Sequence, residues 1–421
     1  MYQRIVLPFG KQYKTLDIPH RNVLQLLQAQ DPPATNQTIH DALETPISSP
    51  RLSEITSPQS KIVILVSDIT RPVPTWKILP PILDELAKGS VNPKNISIIV
   101  ATGLHRENTP LELHAMLGEA IIKTYSISNH NAIDSANLKH LGYSIRGTPI
   151  VLNRFVCEAD IRVATGYIEP HEFAGFTGGR KSILPGVAGI DAINHNHSIQ
   201  MISHPKARMG ILRGNPVHED MMEVAAHVGI EFLVNVVLNS THQIANVVTG
   251  NMESAHLMGV NFVEQYATVD VTENTDIVIT SSGYPLDFDF YQSIKAAMTA
   301  ETVVKDGGVI ILLAECRDGY GPQAFKKLLT LASTPQELSD MTQASYRADV
   351  DHCLFLSRIL KKSRVILVTT NPEIKFQPSL LTTMTSLSKA LEHAILLTSQ
   401  SATITALPYA HRMIPHTVDL D

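Results

Sequence analysis

Short apolar runs rich in Val and Ile alternate with longer amphipathic stretches along most of the chain. This alternation is typical of an α/β protein in which helices flank buried, mostly parallel sheets. Strands are predicted at Lys61 to Ser67, Ile96 to Gly103, Ile161 to Ile168, Glu231 to Leu238, Thr275 to Ser281, Gly307 to Glu315 and Ser363 to Thr369. Helices are predicted at Trp76 to Lys88 and Met252 to Tyr266, and Pro110 suits the first turn of another.

The same pattern divides the chain near residue 270. The segment ATVDVTENTDIV follows a predicted helix, and a new strand–helix–strand series begins at Thr275. We therefore expect an N-terminal domain of residues 1–270 and a C-terminal α/β domain of residues 271–421. A length of 421 residues agrees with two or three domains of about 150 residues each.

Composition excludes several classes of protein. With 44% hydrophobic and 18% charged residues, the chain can bury a sizeable core and is not disordered. A net charge of -6 gives no reason to expect a nucleic-acid partner. The three cysteines are far apart and form no CxxC pair, which argues against disulfides and thiolate zinc sites. Without a signal-like start or a long apolar run, we expect a soluble cytoplasmic protein with no membrane partner.

Polar residues follow three of the predicted strands, at the sheet edge where α/β proteins bind ligands. Asp68 and Arg71 lie in SDITRPVP, His105 in ATGLHREN, and His171 in GYIEPHEF. A carboxylate beside a guanidinium suits ribose or carboxylate recognition, and a simple strand-end ion pair is the alternative. A lone histidine is usually structural, but two on loops shaped by Gly and Pro favour acid–base chemistry.

Two glycine-rich segments resemble nucleotide-binding motifs. GFTGGRKS approaches the P-loop pattern around Lys181, but Arg180 replaces the glycine that the motif requires. This argues against an NTPase, while the Gly178–Gly179 backbone could still bind a phosphate. GYGPQA, from Gly319 to Ala324, matches a loose GxGxxA pattern, for which a plain glycine-rich turn is the favoured interpretation.

Two further pairs of side chains have spacings that suggest function. NHNH places His195 and His197 two residues apart, which is not a zinc signature and by default is an exposed pair at a helix end. In DFDFYQSIK, Gln292 and Lys295 share one helical face because residues at i and i+3 are neighbours. A surface pair is the default interpretation there too.

In their order along the chain, SDITRP, ATGLHR, EPHEFAGFTGGRKSILPGVAG, NHNH and YQSIK resemble the lactate racemase family. This family comprises nickel-dependent 2-hydroxyacid racemases and epimerases. The resemblance extends from about Asp68 to the ECRDGYG segment, and it depends on the combination of motifs rather than on any one of them.

The resemblance implies a cofactor, nickel(II) pyridinium-3,5-bisthiocarboxylic acid mononucleotide, called the nickel-pincer nucleotide. Lys181 matches the lysine to which it is attached through a thioamide, and His197 matches the protein ligand of nickel. One imidazole beside sulfur and carbon donors is chemically reasonable for square-planar nickel(II). His195 does not match the ligand position. Enzymes that make the cofactor are implied partners.

The resemblance also implies how a small 2-hydroxy acid is racemised. His105 and His171 match paired acid–base histidines. Asp68 and Arg71 match the loop on the cofactor and substrate side, so both are expected to bind the cofactor, and Arg71 the substrate as well. Removing hydride instead of the α-proton avoids placing a second negative charge beside the carboxylate, and gives a planar keto acid. Each histidine would exchange the hydroxyl proton of one enantiomer, and Arg71 and Lys295 would hold the substrate carboxylate.

Gln292 and Lys295 match substrate-contacting residues of the second domain. The resemblance therefore implies that the second domain closes over the substrate and that the active site lies in the interdomain cleft. The sequence leaves open which hydroxy acid is used (lactate, malate, a larger aliphatic or aromatic acid, or a sugar acid) and which oligomer forms.

Two other functions remain as alternatives. A metal-dependent hydrolase would use His171, His195 and His197 and would contain zinc. A non-catalytic carrier of a nucleotide cofactor would need Lys181 but neither acid–base histidine; the presence of His105 and His171 favours the enzyme.

Overall fold

All seven predicted strands form in the computed structural model, which describes residues 2–417. The strands are β1 Tyr2–Phe9, β2 Gln12–Pro19, β3 Val23–Leu26, β4 Ile62–Ser67, β5 Ile96–Ala101, β6 Ser126–Asn129, β7 Leu138–Tyr143, β8 Pro149–Asn153, β9 Ile161–Tyr167, β10 Pro170–His171, β11 Gly175–Phe176, β12 Phe232–Leu238, β13 Ile244–Gly250, β14 Thr268–Val271, β15 Thr275–Ser281, β16 Val304–Leu313, β17 Arg364–Val368, β18 Thr382–Met384, β19 Ile404–Pro408 and β20 Ile414–Thr417. The helices are α1 Ile39–Glu44, α2 Thr75–Lys88, α3 Pro110–Leu117, α4 Glu119–Thr124, α5 Arg154–Glu158, α6 Ile190–Asn196, α7 Ile199–Ile202, α8 Pro216–Val228, α9 Met252–Ala267, α10 Phe290–Glu301, α11 Gln323–Leu331, α12 Pro335–Ala344, α13 Asp351–Lys362 and α14 Leu387–Leu397. Within residues 2–417, no helix has the length and apolar character that a membrane crossing needs.

The chain folds into two α/β units. One comprises residues 31–266, and the other combines residues 2–30 with residues 267–417. The expected domain of residues 1–270 therefore differs from the structure at its beginning. The physical reason is strand pairing, because β3 adds in parallel to β19 and Ile5 and Leu7 of β1 share a core with Ile277 and Ile404. These partners are far away in sequence, so local patterns do not reveal them.

The unit of residues 31–266 is built on a six-stranded sheet in the order β13-β12-β9-β4-β5-β6. Only β13 runs antiparallel to its neighbour. The apolar run of β4 is continuous because helices and loops cover both faces of this central strand. Since β9, β4 and β5 are adjacent and parallel, their carboxyl ends meet at one edge, where the polar loops follow.

The other unit contains a fully parallel sheet in the order β18-β17-β16-β15-β19-β3. The β1–β2 hairpin contributes apolar side chains to its core. Helix α10 follows the carboxyl end of β15, so Gln292 and Lys295 lie in the first turns of a helix at the ligand-binding edge of this sheet.

Candidate active site

The loops after β4 and β5 bring Asp68 and His105 into contact. The Nδ1 atom of His105 lies 3.1 Å from Asp68 Oδ2, and the other carboxylate oxygen accepts hydrogen bonds from the backbone and hydroxyl of Thr70, at 2.9 and 2.5 Å. Asp68 is only 4% exposed, whereas the His105 side chain is 43% exposed. Thr70 thus fixes the buried carboxylate, and the carboxylate in turn orients the His105 imidazole, which is partly exposed to solvent.

Asp68 stays ionised over a wide pH range. Burial alone would raise its pKa, but the hydrogen bond and charge of His105, the Thr70 hydroxyl and the charge of Arg71 outweigh that effect and lower the pKa to about 2. An ionised Asp68 accepts the Nδ1 proton of His105 and so favours the tautomer whose Nε2 lone pair is free to take a proton.

Arg71 lies at the same edge, among several acidic groups. Its side chain remains accessible. Desolvation by the surrounding loops would lower its pKa, but Tyr167, Asp68, Glu169 and Glu172 together raise it. The predicted exposed loop is therefore observed, and it carries a fixed positive charge beside the end of β9.

His171 belongs to a short hairpin, in which β10 pairs with β11 and His171 faces Gly175. Gly175 has φ of 80°, and a Cβ there would lie 2.4 Å from the carbonyl oxygen of Ile211, so only glycine fits. The Nδ1 atom of His171 is 3.4 Å from Glu172 Oε2 and 3.3 Å from the backbone nitrogen of Ala174. A carboxylate therefore lies near this imidazole too, but here Nδ1 accepts the backbone N–H of Ala174 instead of donating to the carboxylate.

Three of the predicted site residues surround the ring of Phe173. His171 and His197 contact it edge-on, with ring centroids 4.7 and 5.1 Å from the Phe173 centroid. The Nζ atom of Lys181 lies 5.9 Å from the centre of the same ring and 3.4 Å from His171 Nε2. The structure thus brings together the predicted attachment lysine, an acid–base histidine and the predicted nickel ligand.

Lys181 lies in the 3₁₀ turn Gly179–Ser182. The residue before this turn, Gly178, and its first residue, Gly179, both have positive φ, of 78° and 54°. A Cβ on Gly178 would come within 2.6 Å of Asn235 Oδ1. The same amide oxygen accepts a hydrogen bond of 2.8 Å from the Gly179 backbone nitrogen. The two glycines therefore allow the backbone to approach Asn235 closely. Because the Gly179 N–H donates to Asn235 Oδ1, it is not available to bind a phosphate.

Arg180 holds this loop from inside, although the sequence shows it only as a departure from the P-loop pattern. Its side chain is fully buried. The guanidinium donates to the carbonyl oxygens of Ala174 at 2.7 Å and Gly178 at 3.3 Å, and one of its nitrogens lies 3.1 Å from Nε2 of His256. Burial lowers the pKa of Arg180 to about 9, which still leaves it charged at neutral pH.

A buried neutral His256 should make this unit sensitive to mild acid. Burial, and then the charge of Arg180, lower its pKa to about 3, below the ordinary value near 6.5. Between these values the unfolded chain binds a proton that the folded one does not, so stability falls as pH drops below 6.5. We expect this effect of His256 to lower the free energy of unfolding by about 2 kcal/mol between pH 7 and pH 5. Urea unfolding of native protein and His256→Gln should show a shallower pH dependence in the variant; equal slopes would contradict this assignment.

The NHNH segment forms the end of α6 and is not an exposed pair. His197 caps the helix and is 8% exposed, and its backbone nitrogen donates to the carbonyl of Ile193 at 2.9 Å. Nδ1 of His195 is instead 2.8 Å from the hydroxyl of Thr148. In the described residues no three His, Cys, Asp or Glu side chains are grouped to hold a metal, so the three-histidine site of the hydrolase alternative is not formed.

In the other unit, α10 presents Gln292 and Lys295 from its first turns. Asp289 caps the helix, accepting a 2.7 Å hydrogen bond from the Gln292 backbone nitrogen. Burial raises the pKa of Asp289 to about 6, against the opposing effects of that hydrogen bond and of the Lys295 charge. Gly321 of the GYGPQA segment packs here, where a Cβ would lie 2.7 Å from that of Tyr291; this segment is a structural turn.

Several site residues were not identified from the sequence. They are Phe173, between the rings; Glu172, beside His171; Arg180 and Asn235, which hold the lysine loop; and Asp220, which is buried next to α6. Glu172 and Phe173 fall inside the quoted motif EPHEF and could have been suspected from it. Asn235 and Asp220 reach the site through the fold alone, from β12 and α8.

Comparisons with known proteins agree with this architecture. Family models described as the lactate racemase N-terminal and C-terminal domains match residues 9–210 and 270–414. The chain is 37% identical to a lactate racemase of Thermoanaerobacterium thermosaccharolyticum over 415 residues, covering 96% of this chain and 97% of the relative. It is 36% identical to a lactate racemase of Lactiplantibacillus plantarum over 419 residues, covering 96% and 97%.

A solved structure gives the same result at the level of the fold. The lactate racemase apoprotein from Thermoanaerobacterium thermosaccharolyticum superposes with a TM-score of 0.92 at 37% identity, covering 98% of this chain and all of that one. Identity of this extent over nearly the whole chain establishes common descent. The protein therefore belongs to the lactate racemase family of isomerases.

Proposed function

We propose that this protein interconverts the enantiomers of lactate, or of a closely related 2-hydroxy acid, by moving hydride and proton separately. The observation that carries the proposal is the cluster at the sheet edge. Each of two histidines has a carboxylate beside its Nδ1 atom, and one of them is 3.4 Å from Lys181. Acid–base groups with oriented imidazoles suit a reaction in which a hydroxyl proton leaves and returns.

The proposed cofactor is the nickel-pincer nucleotide, and the residues present fit it. Lys181 supplies an amine for thioamide attachment, and His197 supplies the single imidazole that a metal already bound by sulfur and carbon still needs. A ligand set of one histidine also agrees with the lack of a three-residue metal cluster in the described part of the chain. When bound, the cofactor would supply the hydride acceptor. It would come from dedicated biosynthetic enzymes.

The protein's own contribution is proton transfer and orientation. We assign His105 and His171 to the two enantiomers, because the hydroxyl oxygen occupies a different place in each. The histidine facing the hydroxyl accepts its proton, at Nε2 in the case of His105, and the other histidine donates a proton to the hydroxyl oxygen of the opposite enantiomer. Asp68 contacts His105 and is almost fully buried. It would act mainly by keeping the proton of His105 on Nδ1, while Arg71 would bind the substrate carboxylate.

Asp68→Asn should expose the tautomer requirement. Both donors of Thr70 point at one oxygen of Asp68, so an asparagine would keep its oxygen there and turn its amide NH₂ towards His105 Nδ1. That arrangement places the imidazole proton on Nε2 and blocks the base. We expect kcat to fall about 10- to 100-fold with an unchanged melting temperature. Thr70→Ala is the control and should cost less; a native kcat for Asp68→Asn would contradict the role.

Lys295 and Gln292 of α10 are proposed to contact the substrate. Lys295→Ala removes a positive charge that could pair with the substrate carboxylate, and leaves that carboxylate poorly neutralised. We expect kcat/KM to fall about 10- to 100-fold while the visible spectrum of the cofactor is retained. Lys305→Ala is a matched control. Lys305 pairs with Asp276 near the amino-terminal ends of β15 and β16, at the opposite edge of the sheet from Lys295. Racemisation at the native rate by Lys295→Ala would remove it from the site.

The proposed function is tested with holo-protein produced together with the cofactor-making enzymes. Pure L-lactate and pure D-lactate should each approach an equal mixture, followed by chiral chromatography, and C2-deuterated lactate should keep its label. Loss of deuterium to water would contradict hydride transfer. Nickel and a covalent adduct without any racemisation of lactate or other 2-hydroxy acids would favour the carrier alternative, and zinc with hydrolysis would favour the hydrolase.

A further inference from the structure

Asp220 of α8 lies at the centre of a fully buried hydrogen-bond network. It has no exposed surface, and its carboxylate accepts hydrogen bonds from the hydroxyl of Ser144 at 2.6 Å, the hydroxyl of Thr148 at 2.7 Å and the side-chain amide of Asn196 at 2.7 Å. These three donors are two hydroxyls and an amide, and none of them is a cation. Burying a carboxyl group is costly unless its oxygens are well hydrogen-bonded, and here three donors satisfy them.

The network reaches the residues immediately before His197. Asn196 is the last residue of α6, and His197 is the cap of that helix. Nδ1 of His195 lies 2.8 Å from the Thr148 hydroxyl. Because that hydroxyl has one proton, which the Asp220 carboxylate receives, its oxygen accepts the proton of His195. Asp220 therefore holds residue 196 directly and residue 195 through Thr148.

We propose that Asp220 is a positioning residue for His197, fixing the end of α6 so that the imidazole is correctly placed to bind nickel. The inference rests on the proposed role of His197 in nickel binding. Groups that orient metal ligands from outside typically change metal affinity by about 10- to 100-fold when they are removed. Asp220 would act through the backbone of the ligand, because it contacts the neighbouring side chain rather than the imidazole.

The test measures nickel retention rather than turnover. Native holo-protein and Asp220→Ala are mixed with excess chelator, and the release of nickel is followed by elemental analysis and by the visible spectrum. We expect Asp220→Ala to release nickel at least about 10-fold faster, while intact mass still shows the cofactor adduct on Lys181. Attachment and metal binding depend on different residues, so the two measurements separate.

Asp220→Asn distinguishes hydrogen bonding from charge. Its oxygen can accept from Thr148 and Asn196, and its amide can donate to Ser144, whose hydroxyl oxygen can accept. Nickel release from Asp220→Asn should therefore stay within about 3-fold of native, well under the cost of losing an orienting partner. Release as fast as from Asp220→Ala would overturn a positioning role through hydrogen bonds.

Glu223→Gln is the matched control. Glu223 lies on the same helix and accepts a 2.7 Å hydrogen bond from the backbone nitrogen of Ile145, in the turn between β7 and β8 that also contains Ser144. Within residues 2–417, its side chain forms no hydrogen bond with α6. It should retain nickel as the native protein does. Nickel loss equal to that of Asp220→Ala would mean that loosening the turn is sufficient, which would overturn the proposed path through Asn196.

A second variant covers the case in which Asp220→Ala does not fold. Asn196→Ala leaves Asp220 its two hydroxyl donors and removes its link to α6, together with a hydrogen bond of 3.2 Å from Asn196 to the Val217 carbonyl. It should also release nickel about 10-fold faster. Native retention in either folded variant overturns the inference. If instead the native protein itself holds neither nickel nor an adduct, the proposed function fails, and that result is distinct from a failure of Asp220.

Discussion

Lys181→Ala is expected to lose both the covalent adduct and all racemisation. Cofactors carry the difficult chemistry in such enzymes, and here only the Lys181 amine is proposed to form the thioamide. The loss should be complete rather than partial, because the Lys181 amine lies 3.4 Å from His171 Nε2 and 5.9 Å from the centre of the Phe173 ring, where the cofactor is proposed to bind. Lys181→Arg should fail equally, since a guanidinium keeps the charge but does not form the thioamide.

The measurement combines intact mass, nickel content and turnover after co-production with the cofactor-making enzymes. Lys206→Ala is a suitable control, because Lys206 is an exposed lysine of the same unit and should leave the adduct intact. A Lys181→Ala protein that retains the added mass would assign attachment to another residue. A native chain with full activity, no adduct and no nickel would end the cofactor proposal.

The parts of the fold that could be predicted are those that depend on the pattern of apolar and polar residues within one short segment. The continuous apolar runs of β4, β5 and β9 identify strands that are covered on both faces, and the order of polar loops after them places Asp68, His105 and His171 at one edge. The first 30 residues could not be placed in this way. The pairing of β3 with β19 joins residues about 380 apart, and no local pattern encodes such a distant partner.

The candidate site shows the same limit at the level of side chains. Asp68 is predicted to bind the cofactor, and its contact with His105 was not predicted, because it arises where two loops from adjacent strands meet. Arg180 looked like a mismatch in a phosphate-binding motif. Its burial under the loop, with backbone carbonyls as acceptors, depends on chain reversals that spacing alone does not define. Sequence thus indicated which groups gather, but not which of them touch.

Replacing either of the two acid–base histidines should cost most of the activity. His105→Ala and His171→Ala should each lower interconversion about 100- to 10,000-fold, the range for losing a general acid or base. The rates of L-to-D and of D-to-L conversion should both fall, because each histidine is the base for one enantiomer and the acid for the other. Nickel content should stay native in both variants, and loss of nickel in either would reassign that histidine as a ligand.

Added imidazole should then separate the two variants. The His105 side chain is 43% exposed and that of His171 is 16% exposed, so a free imidazole can occupy the first cavity beside Asp68 more readily than the second beside Phe173. We expect added imidazole to restore part of the activity of His105→Ala, with a hyperbolic dependence on its concentration, and to restore little in His171→Ala. Asp68 should still bind the Nδ1 proton of the added base, so His105→Ala combined with Asp68→Asn should not be rescued. Equal rescue of the double variant would show that His105 acts without its carboxylate, and that the pairing seen in the structure has no part in the chemistry.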